Sequence, residues 1–163
     1  MRYPRPPKSR HEIIDEALFS FLLRLEVNKS RRLKYYVSVV FMTIESPTDE
    51  STTRIARHLT RHVRATDLVV CPSPFSIAFL LVDATEKDLP AIIHRVIEEV
   101  STLVPPVGER RLVWSAGGAS YPKTAGGAGL VLRQAIHLME RARKDGGNRL
   151  YLPGDTGPWF GVI

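Results

Sequence analysis

The chain has 163 residues, 44% hydrophobic and 25% charged, which predicts one globular domain and argues against a disordered or membrane-embedded chain. A chain of this length buries roughly 70% of its unfolded surface and folds without staples; the single cysteine, Cys71, excludes an internal disulfide and a cysteine-rich zinc site. Lys plus Arg number 23 against 17 acidic residues, for a net charge of +6. Arginine supplies 17 of those cations, and its planar fork suits phosphates and guanine edges. The charge is therefore either a solvated basic surface or a sign of an anionic partner: nucleic acid, a nucleotide or an acidic protein.

The longest apolar runs, residues 37–44 and 77–82, fall short of the roughly 20 residues a membrane helix needs, so no membrane contact is expected. The opening MRYPRPPKSR lacks the apolar core of a signal peptide, and a cytoplasmic location is expected. Residues 1–10, with three prolines and four cations, read as a flexible basic arm. Residues 11–152 read as the domain, and 153–163 as a tail whose Trp159 and Phe160 either dock elsewhere or pack back on it.

Within the domain, Ile13, Ala17, Leu18, Phe21, Leu22 and Leu25 recur at helical spacing, predicting an amphipathic helix over 12–33. The β-branched and aromatic run YYVSVVFMTIE, residues 35–45, predicts a buried strand. Ser46-Pro47-Thr48-Asp49 is a turn and cap before a second helix over 50–63. Residues 67–71 and 75–82, separated by Pro72-Ser73-Pro74, predict a hairpin. A helix over 86–103, a strand over 111–120, a helix over 129–144 capped by Asp145-Gly146-Gly147, and a short strand over 150–152 complete an α/β sandwich. Trp114 reads as core and Cys71 as a buried small hydrophobe. His94 and His137, without partners at metal-ligand spacing, read as surface or packing residues.

In that order, the segments RATDLVV (64–70), WSAGGASYPKTAGG (114–127) and AIHLMERARKDGGNRLYL (135–152) resemble the GGDEF domain of diguanylate cyclases. The likeness covers roughly residues 20–152. It implies an α/β domain with a five-stranded, mostly antiparallel sheet flanked by helices, similar to nucleotidyl cyclases. Aligned on Asp67, the signature hairpin falls on Ser73, Pro74, Phe75, Ser76 and Ile77, so every signature residue is replaced. Ser76 stands where the family has an acidic metal ligand. The family's other metal aspartate falls on Thr43, with Glu45 nearby but out of register. Neutral hydroxyls do not supply the charge a hard cation requires, and proline cannot replace a tight-turn glycine. The family's guanine-recognition segment between first strand and hairpin has no counterpart. The expectation is a non-enzyme with no metal and no cofactor.

What the resemblance leaves is a regulatory motif. Family members carry an RxxD sequence before the hairpin that binds cyclic di-GMP, and here Arg64-Ala65-Thr66-Asp67 occupies that place. Roughly 0.7 such matches arise by chance in this composition, so register with the fold is what gives it weight. A family arginine on the following helix falls on Arg95. Arginine forks guanine O6 and N7, and a carboxylate accepts from N1 and N2. Upstream, Arg54, Arg57, Arg61 and Arg64, with His58 and His62 interleaved, form a cationic helical stripe, and Arg61 joins the expected ligand set. The reading is an inactive cyclic di-GMP receptor acting through an unidentified protein partner, with ligand-linked dimerisation as a further implication of the resemblance. The alternative is a ligand-independent scaffold or regulatory interaction domain keeping only the fold. No nucleic-acid-binding motif is present, and nucleic acid is not expected as a partner.

Overall fold

The structure, a computed structural model, describes residues 15–48 and 52–154, together with the backbone of 159–160. The arm, the first turn of the expected first helix, the cap at Asp49 and most of the tail lie outside the described residues. The elements run α1 Glu16–Leu33, β1 Val37–Glu45, α2 Thr52–Leu59, β2 Leu68–Ser73, β3 Ser76–Val82, α3 Leu89–Leu103, β4 Val113–Tyr121, α4 Ala128–Lys144, β5 Arg149–Tyr151 and β6 Trp159–Phe160.

The sheet order is β2-β3-β1-β4-β5-β6. Every neighbouring pair is antiparallel except β4 with β5. The expected five strands are present, and the two-residue β6 adds a sixth at the edge, pairing the tail's Trp159 with Leu150. Alternation along the central strand divides the core. Val40, Met42 and Ile44 face one layer with Ile77, Phe79, Trp114 and residues of α2 and α3. Val37 and Val39 face the other with Ala78, Leu80, Ala119 and residues of α1 and α4.

Local chemistry sets the boundaries. Asp15 caps α1 by accepting from Leu18 N at 2.8 Å, and Lys34 ends it in the left-handed region at φ 57°. Pro90 enters α3 in its first turn, where its missing N–H costs nothing; that helix starts at Leu89, not 86, because residues 85–88 form a turn closed by Thr85 N on Asp88 Oδ2 at 2.8 Å. After α4, Gly146 (φ 109°) and Gly147 (φ 73°) take conformations that suit glycine. The Gly147 N–H then returns to Ala142 O at 3.0 Å.

Three further expectations are corrected. The second helix stops at Leu59 rather than 63, because Arg61 and His62 donate to His58 O and Leu59 O in three-residue steps. The hairpin turn is Pro74-Phe75, with Pro72 and Ser73 inside β2. Pro72 is tolerated there because β2 is an edge strand with a register shift between Val70 and Ser73. Cys71 is half-buried rather than buried. Burial pushes its thiol pKa up, so it is no activated nucleophile. Trp114 is core, at 1% exposure.

Tyr35 carries a pH-dependent contribution to stability. Its hydroxyl donates to Glu26 Oε2 at 2.6 Å, and burial followed by that carboxylate raises its pKa from 10.0 to about 12. The unfolded chain ionises first, so this contribution is whole below pH 10 and is lost as pH rises towards about 12. Urea unfolding of wild type should therefore weaken across that window more steeply than that of Tyr35→Phe.

Candidate functional site

The segment between α2 and β2 is folded by its own side chains. Asp67 N donates to Arg64 O at 2.9 Å, closing a turn. The Asp67 carboxylate accepts from Arg64 N at 3.1 Å and Arg64 Nε at 3.3 Å through Oδ2. It also accepts from Val82 N at 3.0 Å through Oδ1. Arg64 Nη2 donates to Val82 O. Because β2 begins opposite Leu80, Val82 has no strand partner on that side. Arg64 and Asp67 therefore take the place of a neighbouring strand and satisfy its carbonyl and its N–H. Asp67 is consequently held tightly, its side chain only 5% exposed, whereas that of Arg64 is 58% exposed.

These residues open onto a cavity of about 530 Å³ between the 62–67 segment, the end of β3 and α3. The volume is within the range of small-molecule sites. Arg64, Asp67 and Arg95 all line it, as do His62, Asp83, Asp88, Glu98 and Glu99. The Arg95 side chain is exposed and makes no hydrogen bond or ion pair among the described residues. Arg61 is not part of this lining. It lines a separate surface depression with Arg54, Arg57 and His58, because the helix ends before it and the chain turns. The four-arginine stripe is thus split, three on that depression and Arg64 on the cavity.

Five carboxylates line the cavity against two guanidinium groups. Most already have partners: Asp67 as above, Asp88 with Thr85, Glu98 with His94 at 3.1 Å, and Glu99 with His58 and His62. Asp83, at φ 56°, has no side-chain partner among the described residues. The pairing of His58 and His62 with Glu99 escaped the sequence reading. The signal was their separation of four residues, which puts two imidazoles on one helical face; Glu99 comes from α3 and is invisible locally.

At the hairpin, Ser73 pairs with Ser76, and their hydroxyls bond at 2.8 Å. Phe75 is 69% exposed at the tip, while Ile77 is buried in the core. Across the sheet, Ser76 lies opposite Thr43, and Thr43 opposite Ser115. All three are nearly buried. This end of the sheet thus sets three hydroxyl side chains side by side across β3, β1 and β4. The nearest acid along β1, Glu45, is exposed at the strand's last position, two residues from Thr43 and on the same face.

The architecture is a two-faced α/β domain: a β1-centred sheet whose second and third strands form an edge hairpin, with helices on both faces. It is the fold of the GGDEF domains of diguanylate cyclases. The GGDEF domain of YfiN (TpbB) from Pseudomonas aeruginosa matches with a TM-score of 0.73 at 17% identity, over 87% of this chain and 97% of that one. The GGDEF domain of DgcB from Caulobacter crescentus, solved with cyclic di-GMP, matches with a TM-score of 0.72 at 11% identity, over 95% and 98%. The diguanylate cyclase SiaD from P. aeruginosa, solved with its activator SiaC, matches with a TM-score of 0.71 at 18% identity, over 91% of this chain and 61% of that one. No family model matches the chain, and no curated protein matches it in sequence. Among the described residues, no helix is long and apolar enough to cross a membrane.

Proposed function

We propose that this domain is a cyclic di-GMP receptor that does not synthesise the nucleotide. The observation that carries the reading is the meeting of Arg64, Asp67 and Arg95 on one open cavity, although Arg95 lies on a different element 28 positions beyond Asp67. Arg64 uses two of its five N–H donors on Asp67 and Val82, leaving the others for a guanine edge or a phosphate. Asp67 has three of about four acceptor sites occupied. Its part is to hold Arg64 and to offer one acceptor to guanine. Asp83, unpartnered at the rim, supplies a second acceptor for guanine N–H groups but opposes the ligand's phosphates. Bound nucleotide would then alter the domain's contacts with a protein partner; a protein of similar fold, the diguanylate cyclase SiaD, was solved in complex with its activator SiaC.

The expected lack of synthesis rests on the hairpin: Ser76 and Thr43, where the resemblance places carboxylates, carry no charge to neutralise two metal ions. Incubation with GTP and Mg²⁺ or Mn²⁺ should yield no cyclic di-GMP above a protein-free control; measurable turnover would overturn this half of the reading.

A second reading is favoured by one observation: Arg64 and Asp67 already serve the fold by closing the edge at Val82. On that reading the domain is a ligand-independent scaffold. Calorimetric titration with cyclic di-GMP separates the two.

A further inference from the structure

We infer that His58, His62 and Glu99 form a binding site for a divalent transition-metal ion of the zinc class. His58 is in the last turn of α2, His62 in the turn after it, and Glu99 on α3. Their ligand atoms all lie within 4.8 Å of one another. His58 Nε2 is 3.3 Å and His62 Nε2 3.2 Å from the same carboxylate oxygen, Glu99 Oε2.

The distances suit a metal site at least as well as a charged ion pair. A charge-assisted N–H···O bond settles at about 2.7–2.9 Å. Two imidazolium ions on one carboxylate oxygen would also repel each other, with ring centroids only 4.8 Å apart. In a tetrahedral zinc centre, by contrast, metal–ligand bonds of about 2.0–2.2 Å set neighbouring donors about 3.3–3.5 Å apart. The two histidine–glutamate separations, 3.2 and 3.3 Å, sit at or just under that edge length, and the three donors lie within 4.8 Å of one another, so a small rotation of the imidazoles completes the site around an ion.

The donor set is chemically consistent. Two neutral imidazoles and one carboxylate suit Zn²⁺, Co²⁺ or Ni²⁺ better than Mg²⁺ or Ca²⁺, which prefer all-oxygen shells. Three protein ligands at partly exposed positions leave a fourth place for water. The surroundings also favour a cation on one side. Glu98, Asp88 and Asp83 share the cavity with His62 and Glu99, which offsets the neighbouring Arg57 and Arg61.

Such an ion would staple the end of α2 to α3. His62 is two residues from Arg64, and Glu99 one helical turn beyond Arg95, so the ion would hold together two walls of the 530 Å³ cavity. The proposal does not depend on what the cavity binds.

The test is titration of the full chain, stripped with chelator, with Zn²⁺ alone, and separately with Co²⁺ followed by visible absorption. One saturable equivalent per chain is expected, with Co²⁺ giving the intense absorption of a tetrahedral site. His58→Gln/His62→Gln and Glu99→Gln should each weaken binding more than about 100-fold, beyond the loss typical of outer-shell changes. His94→Gln/His137→Gln should bind as wild type. All the altered side chains are partly exposed, and circular dichroism checks that each variant is folded. No saturable equivalent at about 100 μM Zn²⁺, or unchanged affinity in the folded His58/His62 variant, would overturn the site.

Discussion

Arg95→Ala is expected to weaken cyclic di-GMP binding about 10–100-fold while leaving the urea midpoint close to wild type. The magnitude follows from losing one or two charge-assisted hydrogen bonds, about 1.5–3 kcal/mol. The selectivity follows from the structure: the Arg95 side chain is exposed and bonded to nothing among the described residues, so truncating it should leave the fold untouched. Arg64→Ala and Asp67→Ala are less clean. Each strands a backbone group of Val82, at about 1–3 kcal/mol for an orphaned group, so each should lower stability as well as affinity. Asp83→Asn is the converse probe. It removes an unpartnered negative charge from the cavity and should tighten binding of a dianion a few-fold at low salt. Wild-type protein giving no heat with about 100 μM ligand would end the receptor reading and leave the scaffold.

The comparison of these variants shows why a motif reading alone goes only part of the way. The resemblance sets the register of Arg64, Asp67 and Arg95, and one cavity joins the three. Arg61 looked equivalent because spacing of three and four extends a helical stripe indefinitely on paper. The helix's actual end depends on Thr60 turning its hydroxyl onto Arg57 O at 2.7 Å and on two three-residue backbone steps. That competition between hydroxyl and helix is not resolved by periodicity. The structural service of Arg64 and Asp67 to Val82 was equally hidden, since it depends on where β2 begins relative to β3.

Net charge does not say where an anionic partner would bind. The +6 is compatible with a solvated basic surface or an anionic partner, and the cavity that holds the motif is lined by more carboxylates than guanidinium groups. Arg54, Arg57 and Arg61 gather on a separate depression, with His58 between the two surfaces. Local pairing, not total charge, therefore decides what each surface accepts. Any nucleotide in the cavity must be recognised through guanine edges and two arginines, not by a uniformly positive field.

Replacing Gly117 by alanine should cost at least about 3 kcal/mol, the upper end of overpacking penalties, and should far exceed the cost of the same change at Gly118. Both glycines lie in the middle of β4, where the run WSAGGAS read as a strand although glycine is a poor strand former. The reason for the first glycine is the approach of α4. A Cβ on Gly117 would lie 2.1 Å from Ala135 O, 2.3 Å from Met139 N and 2.9 Å from Leu138 C, all main-chain atoms. No rotamer relieves such contacts; the helix must move away from the sheet along the face where Val131 and Ala135 are buried. A Cβ on Gly118 points to the opposite face and meets Leu89 Cδ1 at 2.6 Å and Leu152 Cδ2 at 2.9 Å. Those are ends of flexible side chains, which can rotate at about 1–2 kcal/mol. For a domain of this size, a loss of about 3 kcal/mol lowers the melting temperature by roughly 6–12 °C. Urea unfolding checks the mechanism, with a lower midpoint and an unchanged slope if the native packing alone has changed. Equal stability of Gly117→Ala and Gly118→Ala would contradict the direct seating of α4 on β4. That seating fixes the centre of the sheet, whose neighbouring strand β1 carries Thr43 and whose edge hairpin carries Ser76.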